Sequence, residues 1–160
     1  MARISTTFAS LGPIAKKRWN LAQINPKKIP AIDRAIKKIL EGRARYEAAE
    51  ALTGVPWPLI AVKHMREANN DFRGVMHNGE KIVGTGRLTR LVPPNRGPFA
   101  TWEDSAVDAF RITKLDQVKN WTIDRVLYEA EKFNGFGYSM MGLPSAYVWA
   151  GTDQYQKGKY

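Results

Sequence analysis

Apolar residues recur at three- and four-residue steps through much of the chain. Between Pro30 and Leu52, Ile32, Ile36, Ile39 and Leu40 share one face, and Lys and Arg fill the other. This pattern predicts an amphipathic helix. Pro30 suits its first turn and Gly54 its C-terminal cap. A more continuously apolar run begins at Pro56-Trp57-Pro58 and includes Leu59, Ile60, Val62 and Met65. It predicts a buried helix that ends at Asn69-Asn70-Asp71, residues that favour caps and turns. Thr101, with Asp104 three residues on, has the form of a capping box for a third helix whose apolar side is Trp102, Ala106, Val107, Ala109 and Phe110. Thr122 or Asn120 caps a fourth, in which Ile123, Val126, Leu127, Ala130 and Phe133 fall on one face before Asn134-Gly135 stops it.

Elsewhere the period is shorter or absent. Phe72 to Met76 predicts a strand, His77-Asn78-Gly79 a turn and Lys81 to Val83 a second strand, with Gly84-Thr85-Gly86 turning again before Leu88 to Val92. Pro93 to Pro98 is a loop. Residues 1–29 hold Gly12, Pro13 and Pro26 and are expected to form an arm with one short helix; the tail, Phe136 to Tyr160, is rich in Gly, Ser and aromatics. The expected fold class is α+β: mainly α-helical, with one small β-hairpin after the second helix. At 160 residues the chain is expected to form a single domain (1–160), with 1–29 as a basic arm and 30–54 as a basic amphipathic helix.

Charge changes the picture. The chain carries +10, from 25 basic and 15 acidic residues. Residues 1–46 hold +9 of that, so a basic N-terminal third precedes a nearly neutral body. Such a segment seeks a polyanion or else forms a solvated, solubilising face. There is no cysteine, which removes disulfides, thiol nucleophiles and cysteine-bound zinc. Two histidines, His64 and His77, are too few for most histidine metal sites, though carboxylates could still bind calcium or magnesium; no metal and no cofactor is expected. No apolar run approaches the ~18 residues of a membrane span. The brief apolar stretch Phe8 to Ala15 precedes Lys16-Lys17-Arg18, the reverse of a secretory signal. The Gly84-Thr85-Gly86 triplet lacks the Lys-Ser/Thr of a phosphate loop.

One acid in the neutral body has an unusual context. Glu67 closes the apolar helix, in His64-Met65-Arg66-Glu67-Ala68. A carboxylate at the edge of a core has a raised pKa, because burial disfavours its charged form, and a carboxylic acid kept protonated can act as a general acid. The plainer alternative is an exposed Glu67 paired with Lys63 or Arg66. A helix-end Glu followed by a small polar hairpin suits glycoside hydrolysis, which needs an acid at the leaving oxygen and commonly a second carboxylate. Glu80 is the hairpin's acid, Thr85 has a hydroxyl able to hold water, and Asp71 competes for the second-carboxylate role, although its place after the helix suits a local turn.

The order of these pieces resembles the lysozyme superfamily. Val55-Pro56-Trp57-Pro58-Leu59-Ile60-Ala61-Val62 through Arg66-Glu67, then His77-Asn78-Gly79-Glu80, then Thr101-Trp102-Glu103-Asp104-Ser105-Ala106 is similar to phage and prophage endolysins of the lysozyme-like type. So are Asn134-Gly135-Phe136-Gly137-Tyr138, Pro144 to Thr152, and Tyr155 with Lys157 to Tyr160. The resemblance covers about residues 55–160. It implies a peptidoglycan hydrolase, a bacteriolytic (antimicrobial) glycosidase of bacteriophage type, cleaving the cell-wall glycan between N-acetylmuramic acid and N-acetylglucosamine. It implies Glu67 as general acid, with Glu80 and Thr85 nearest to the Asp and Thr of phage-type lysozymes. The second acid here is Glu instead of Asp and lies further on, which leaves open a lytic transglycosylase using Glu67 alone.

His77 and Asn78 in the turn, and Tyr138 and Tyr147 near the end, are candidate sugar-binding residues, since rings pack on sugar C–H faces. Packing is the alternative for both tyrosines and the expectation for Trp57, Trp102, Trp149 and His64. The expected partners are bacterial peptidoglycan and, through the basic third, anionic wall polymers or lipopolysaccharide; no nucleic acid is expected, and the protein is expected to be a monomer. It is expected to be made in the host cytoplasm without a signal peptide and to act on the wall or periplasm after release. The rival class is non-enzymatic: a basic nucleic-acid- or wall-binding protein.

Overall fold

A computed structural model describes residues 3–159; Tyr160, the end of the last resembling motif, and the first two residues of the basic arm lie outside that range. Helices dominate. They are α1 (Phe8–Leu21), α2 (Ile29–Glu41), α3 (Arg43–Thr53), α4 (Trp57–Ala68), α5 (Trp102–Ile112), α6 (Ile123–Asn134) and the short α7 (Gly137–Met140) and α8 (Ala146–Trp149), with 3-10 turns at Pro26–Lys28 and Leu115–Gln117. The chain divides into two compact units. One takes residues up to Asp33 and from Asn120 onward, and the other runs from Arg34 to Lys119.

In the first unit, α1 packs on α6. The Phe8 and Tyr128 rings meet edge to face at 5.3 Å, the Arg125 guanidinium lies 4.7 Å over Phe8, and the Tyr128 hydroxyl donates to the Thr6 carbonyl at 2.9 Å. Residues 8–21 are therefore an integrated helix, longer than the short one expected in an arm. Thr7 caps it, accepting from the Ser10 amide. A single backbone bridge joins Ile24 to Thr152.

In the second unit, α3 packs on α4 and α5. Its centre is aromatic: Tyr46, His64, Phe72 and Trp102 all lie within 6 Å of one another, centroid to centroid. The helix predicted from Pro30 to Leu52 breaks at Gly42 into α2 and α3. Gly42 packs closely under the Phe72 ring: a Cβ there would lie 2.8 Å from it, so a larger residue would push the ring aside. The predicted hairpin is also absent: among the described residues no strand forms between Phe72 and Val92, or anywhere else.

That segment is a folded loop held by single bonds instead of a ladder. Val75 N–H donates to the Glu80 carbonyl at 3.0 Å and Val83 N–H to that of Arg73 at 3.2 Å. Side chains take some of the other backbone groups. Asn78 Oδ1 accepts from the Glu80 amide, and the Glu80 carboxylate accepts from the amides of Arg90 and Leu91. Short polar side chains that bond locally compete with strand pairing in this way. Apolar residues still anchor the loop, since Val75, Ile82 and Phe99 form a small core.

Candidate active site

The two prolines that frame Trp57 start α4, and its inward face buries Leu59, Ile60, Ala61, Lys63 and His64. The helix ends at Asn69, in left-handed conformation, whose amide returns to the His64 and Met65 carbonyls. Glu67 sits in this last turn and is half-buried. The loop that follows is pressed onto it. Gly79 has φ +77°, and a Cβ there would stand 2.1 Å from the Glu67 carbonyl oxygen. Only glycine allows that approach.

Glu67 lines a cleft of about 580 Å³ within the second unit, together with Asp71, Gly79 and the basic residues Lys38, Arg66, Arg73 and Lys81. Burial pushes the Glu67 carboxyl up from its ordinary value, and Lys63 one turn earlier partly offsets this. Asp71 is the opposite case. Its carboxylate accepts from the Arg73 guanidinium at 2.7 Å and from the Arg73 amide at 3.0 Å, with Lys81 at 3.6 Å. Those bonds hold it well below the usual carboxylate range. The cleft therefore contains one carboxyl driven toward its neutral form and one held ionised, the division of labour that acid catalysis uses.

The other residues singled out in the sequence do not line this cleft. Glu80 is a brace: its two oxygens hold the Arg90 and Leu91 amides, and those N–H groups lower its pKa. The Thr85 hydroxyl donates to the Ile82 carbonyl at 2.7 Å. Asn78 ties the loop through the Glu80 amide and the Val92 carbonyl. His77 is buried, stacked on Phe99, with Nε2 2.7 Å from Asp108, which also pairs with Arg96. These four act on the loop's conformation. Tyr138 and Tyr147 belong to the first unit; Tyr138 is half-buried in α7, and Tyr147 is buried in α8.

Behind the cleft, His64 takes the structural role expected for it. Its Nε2–H donates to the Asp71 carbonyl at 3.1 Å, so Nδ1 accepts from the Tyr46 hydroxyl at 2.8 Å, and that hydroxyl accepts from Asn70 Nδ2 at 2.8 Å. This chain fixes the turn that presents Asp71. Asp71 in the cleft and the basic rim are what sequence reasoning gave least weight. The signal was available, because an Asp two residues before an Arg at a helix end favours an Asx turn that holds the pair together. No protein-family model, curated protein or solved structure matches the chain.

Proposed function

We propose that this chain is a peptidoglycan-degrading glycosidase with Glu67 as general acid, cutting the glycan between N-acetylmuramic acid and N-acetylglucosamine. The observation that carries it is Glu67 itself: a half-buried carboxyl with raised pKa at the wall of an open polar cleft. The motif order Arg66-Glu67, Asn78-Gly79-Glu80 and Trp102-Glu103-Asp104-Ser105 supports it from the sequence. In this mechanism Glu67 gives its proton to the glycosidic oxygen as the C–O bond breaks, and a water then adds to the sugar carbon, its released proton restoring the Glu67 carboxyl. Asp71, ionised beside Arg73, faces the same cleft and stabilises the positive charge that develops on the sugar. Lys38, Arg66, Arg73 and Lys81 favour an anionic glycan over a neutral one.

A second course of the same reaction is favoured by the engagement of Glu80 and Thr85 in the loop. With those groups occupied, the sugar's own hydroxyl completes the reaction as in lytic transglycosylases, and the product is an anhydro sugar. Both courses are tested by turbidity loss of purified peptidoglycan, wild type beside Glu67→Gln, with mass spectrometry of the released fragments. Clearing by the wild type that a folded Glu67→Gln loses is the expected result. Reducing ends then identify hydrolysis and anhydro ends transglycosylation. Clearing that survives the substitution removes Glu67 from the mechanism, and a wild type that clears nothing removes the activity.

A further inference from the structure

α2 is the most regularly amphipathic helix of the chain, yet it buries no residue. Ile29, Ile36 and Leu40, spaced seven and four residues apart, lie along one line of its surface and are 44%, 47% and 50% exposed. Ile32, Ala35 and Ile39 flank that line and are half-buried. A three-turn apolar stripe left open to water costs free energy unless something covers it. α2 itself also carries Arg34, Lys37 and Lys38 against Asp33 and Glu41, and Lys27 and Lys28 lie in the 3-10 turn just before it. Among the described residues, none of those five bases forms a salt bridge.

We propose that α2 docks on a lipid bilayer bearing anionic headgroups, lying in the plane of the interface. The occupant must be apolar along one stripe and negative beside it. A wall polymer or a nucleic acid answers the lysines but leaves three large aliphatic side chains wet. A second copy of α2 covers the isoleucines but sets a net-positive segment, five bases against two acids over residues 27–41, beside another like it. An anionic bilayer answers both: the aliphatic stripe enters the acyl boundary, and the lysines reach headgroup phosphates with their stems along the apolar edge. Among the described residues no helix is long and apolar enough to cross a membrane, so α2 would lie on the surface. Lys38 also lines the cleft, so the proposal rests on Ile29, Ile36 and Leu40 with Lys27, Lys28, Arg34 and Lys37, and stands apart from the glycosidase activity.

The test is co-sedimentation of the full chain with phosphatidylcholine vesicles, alone or with about one-quarter phosphatidylglycerol. The expected result is binding to the anionic vesicles and little to the neutral ones. Ile36→Ser with Leu40→Ser should cut binding about ten-fold or more at unchanged helicity. Lys28→Gln and Lys37→Gln should each cost on the order of five-fold and flatten the salt dependence. Anionic vesicles that bind the Ile36/Leu40 variant as tightly as wild type overturn the proposal, because the attraction is then charge alone. So does a concentration-dependent dimer in analytical ultracentrifugation that the same pair of substitutions dissociates, which would make a second copy the occupant.

Discussion

α2 and α4 are nearly equal in length, and they use their apolar residues in opposite ways. α2 has the cleaner periodicity and buries nothing; α4 is less regular and buries five residues, two of them ionisable. Periodicity reports that a helix has an apolar face, but not what that face meets. α4 meets the protein's own core and so holds Glu67 at a fixed place in the cleft wall. α2 turns half of its stripe to the outside, where that surface can meet a partner.

The contrast can be broken most severely at the end of α4. Gly79→Ala places a methyl against the Glu67 carbonyl at a positive φ and should destabilise the protein by about 4 kcal/mol, with loss of any activity that depends on Glu67. A small shift in urea midpoint would mean that the loop is not pressed onto the helix. Next is Ile60→Ala, in the fully buried face of α4, expected to cost about 3 kcal/mol through lost burial and the cavity left behind.

The pH dependence sharpens the same region. Burial lowers His64 from its ordinary 6.5 to about 4, with Arg45 and Lys38 acting the same way and the Asp71 carbonyl and charge opposing. Between those values the unfolded chain binds a proton that the folded one refuses. Stability therefore falls as pH drops from 6.5 toward 4, by roughly 3 kcal/mol, and this contribution is flat below that window. His77, also lowered by burial, adds in the same direction. Urea unfolding at neutral pH and near the lower end, wild type beside His64→Gln, should show a smaller loss in the variant; equal losses would assign the acid sensitivity elsewhere. The smallest effect belongs to α2: Ile36→Ala should change stability by no more than about 0.5 kcal/mol, since its side chain is half in water already. A cost like that of Ile60→Ala would erase the distinction between the two helices.

What was legible in the sequence is what local chemistry determines. Thr101 caps α5 by accepting from the Asp104 amide at 3.1 Å, and Gly54 ends α3 in left-handed conformation, because both need only near neighbours. The close approach of the Phe72 ring to Gly42, where the helix breaks, was not legible, because Phe72 is distant in sequence and adjacent in the fold. Nor was the loss of the hairpin. The stretch after Asp71 has strand-like residues, but the predicted strands meet only through isolated bonds such as Val75 N–H to the Glu80 carbonyl and Val83 N–H to that of Arg73, too few for a ladder. Glu67 was legible as an acid at a core's edge. Glu80 was not legible as a brace, because an acid beside a glycine turn looks the same in sequence whether it faces a substrate or two backbone amides.

The two glutamates supply the most direct measurement. Glu67→Gln and Glu80→Gln, each shown folded by circular dichroism, are compared on purified peptidoglycan. The account predicts that Glu67→Gln lowers the rate of glycan cleavage about a hundred-fold or more, while Glu80→Gln, whose carboxamide oxygen can still accept a loop amide, retains most of it. Cleavage that survives in Glu67→Gln and is lost in Glu80→Gln would contradict it.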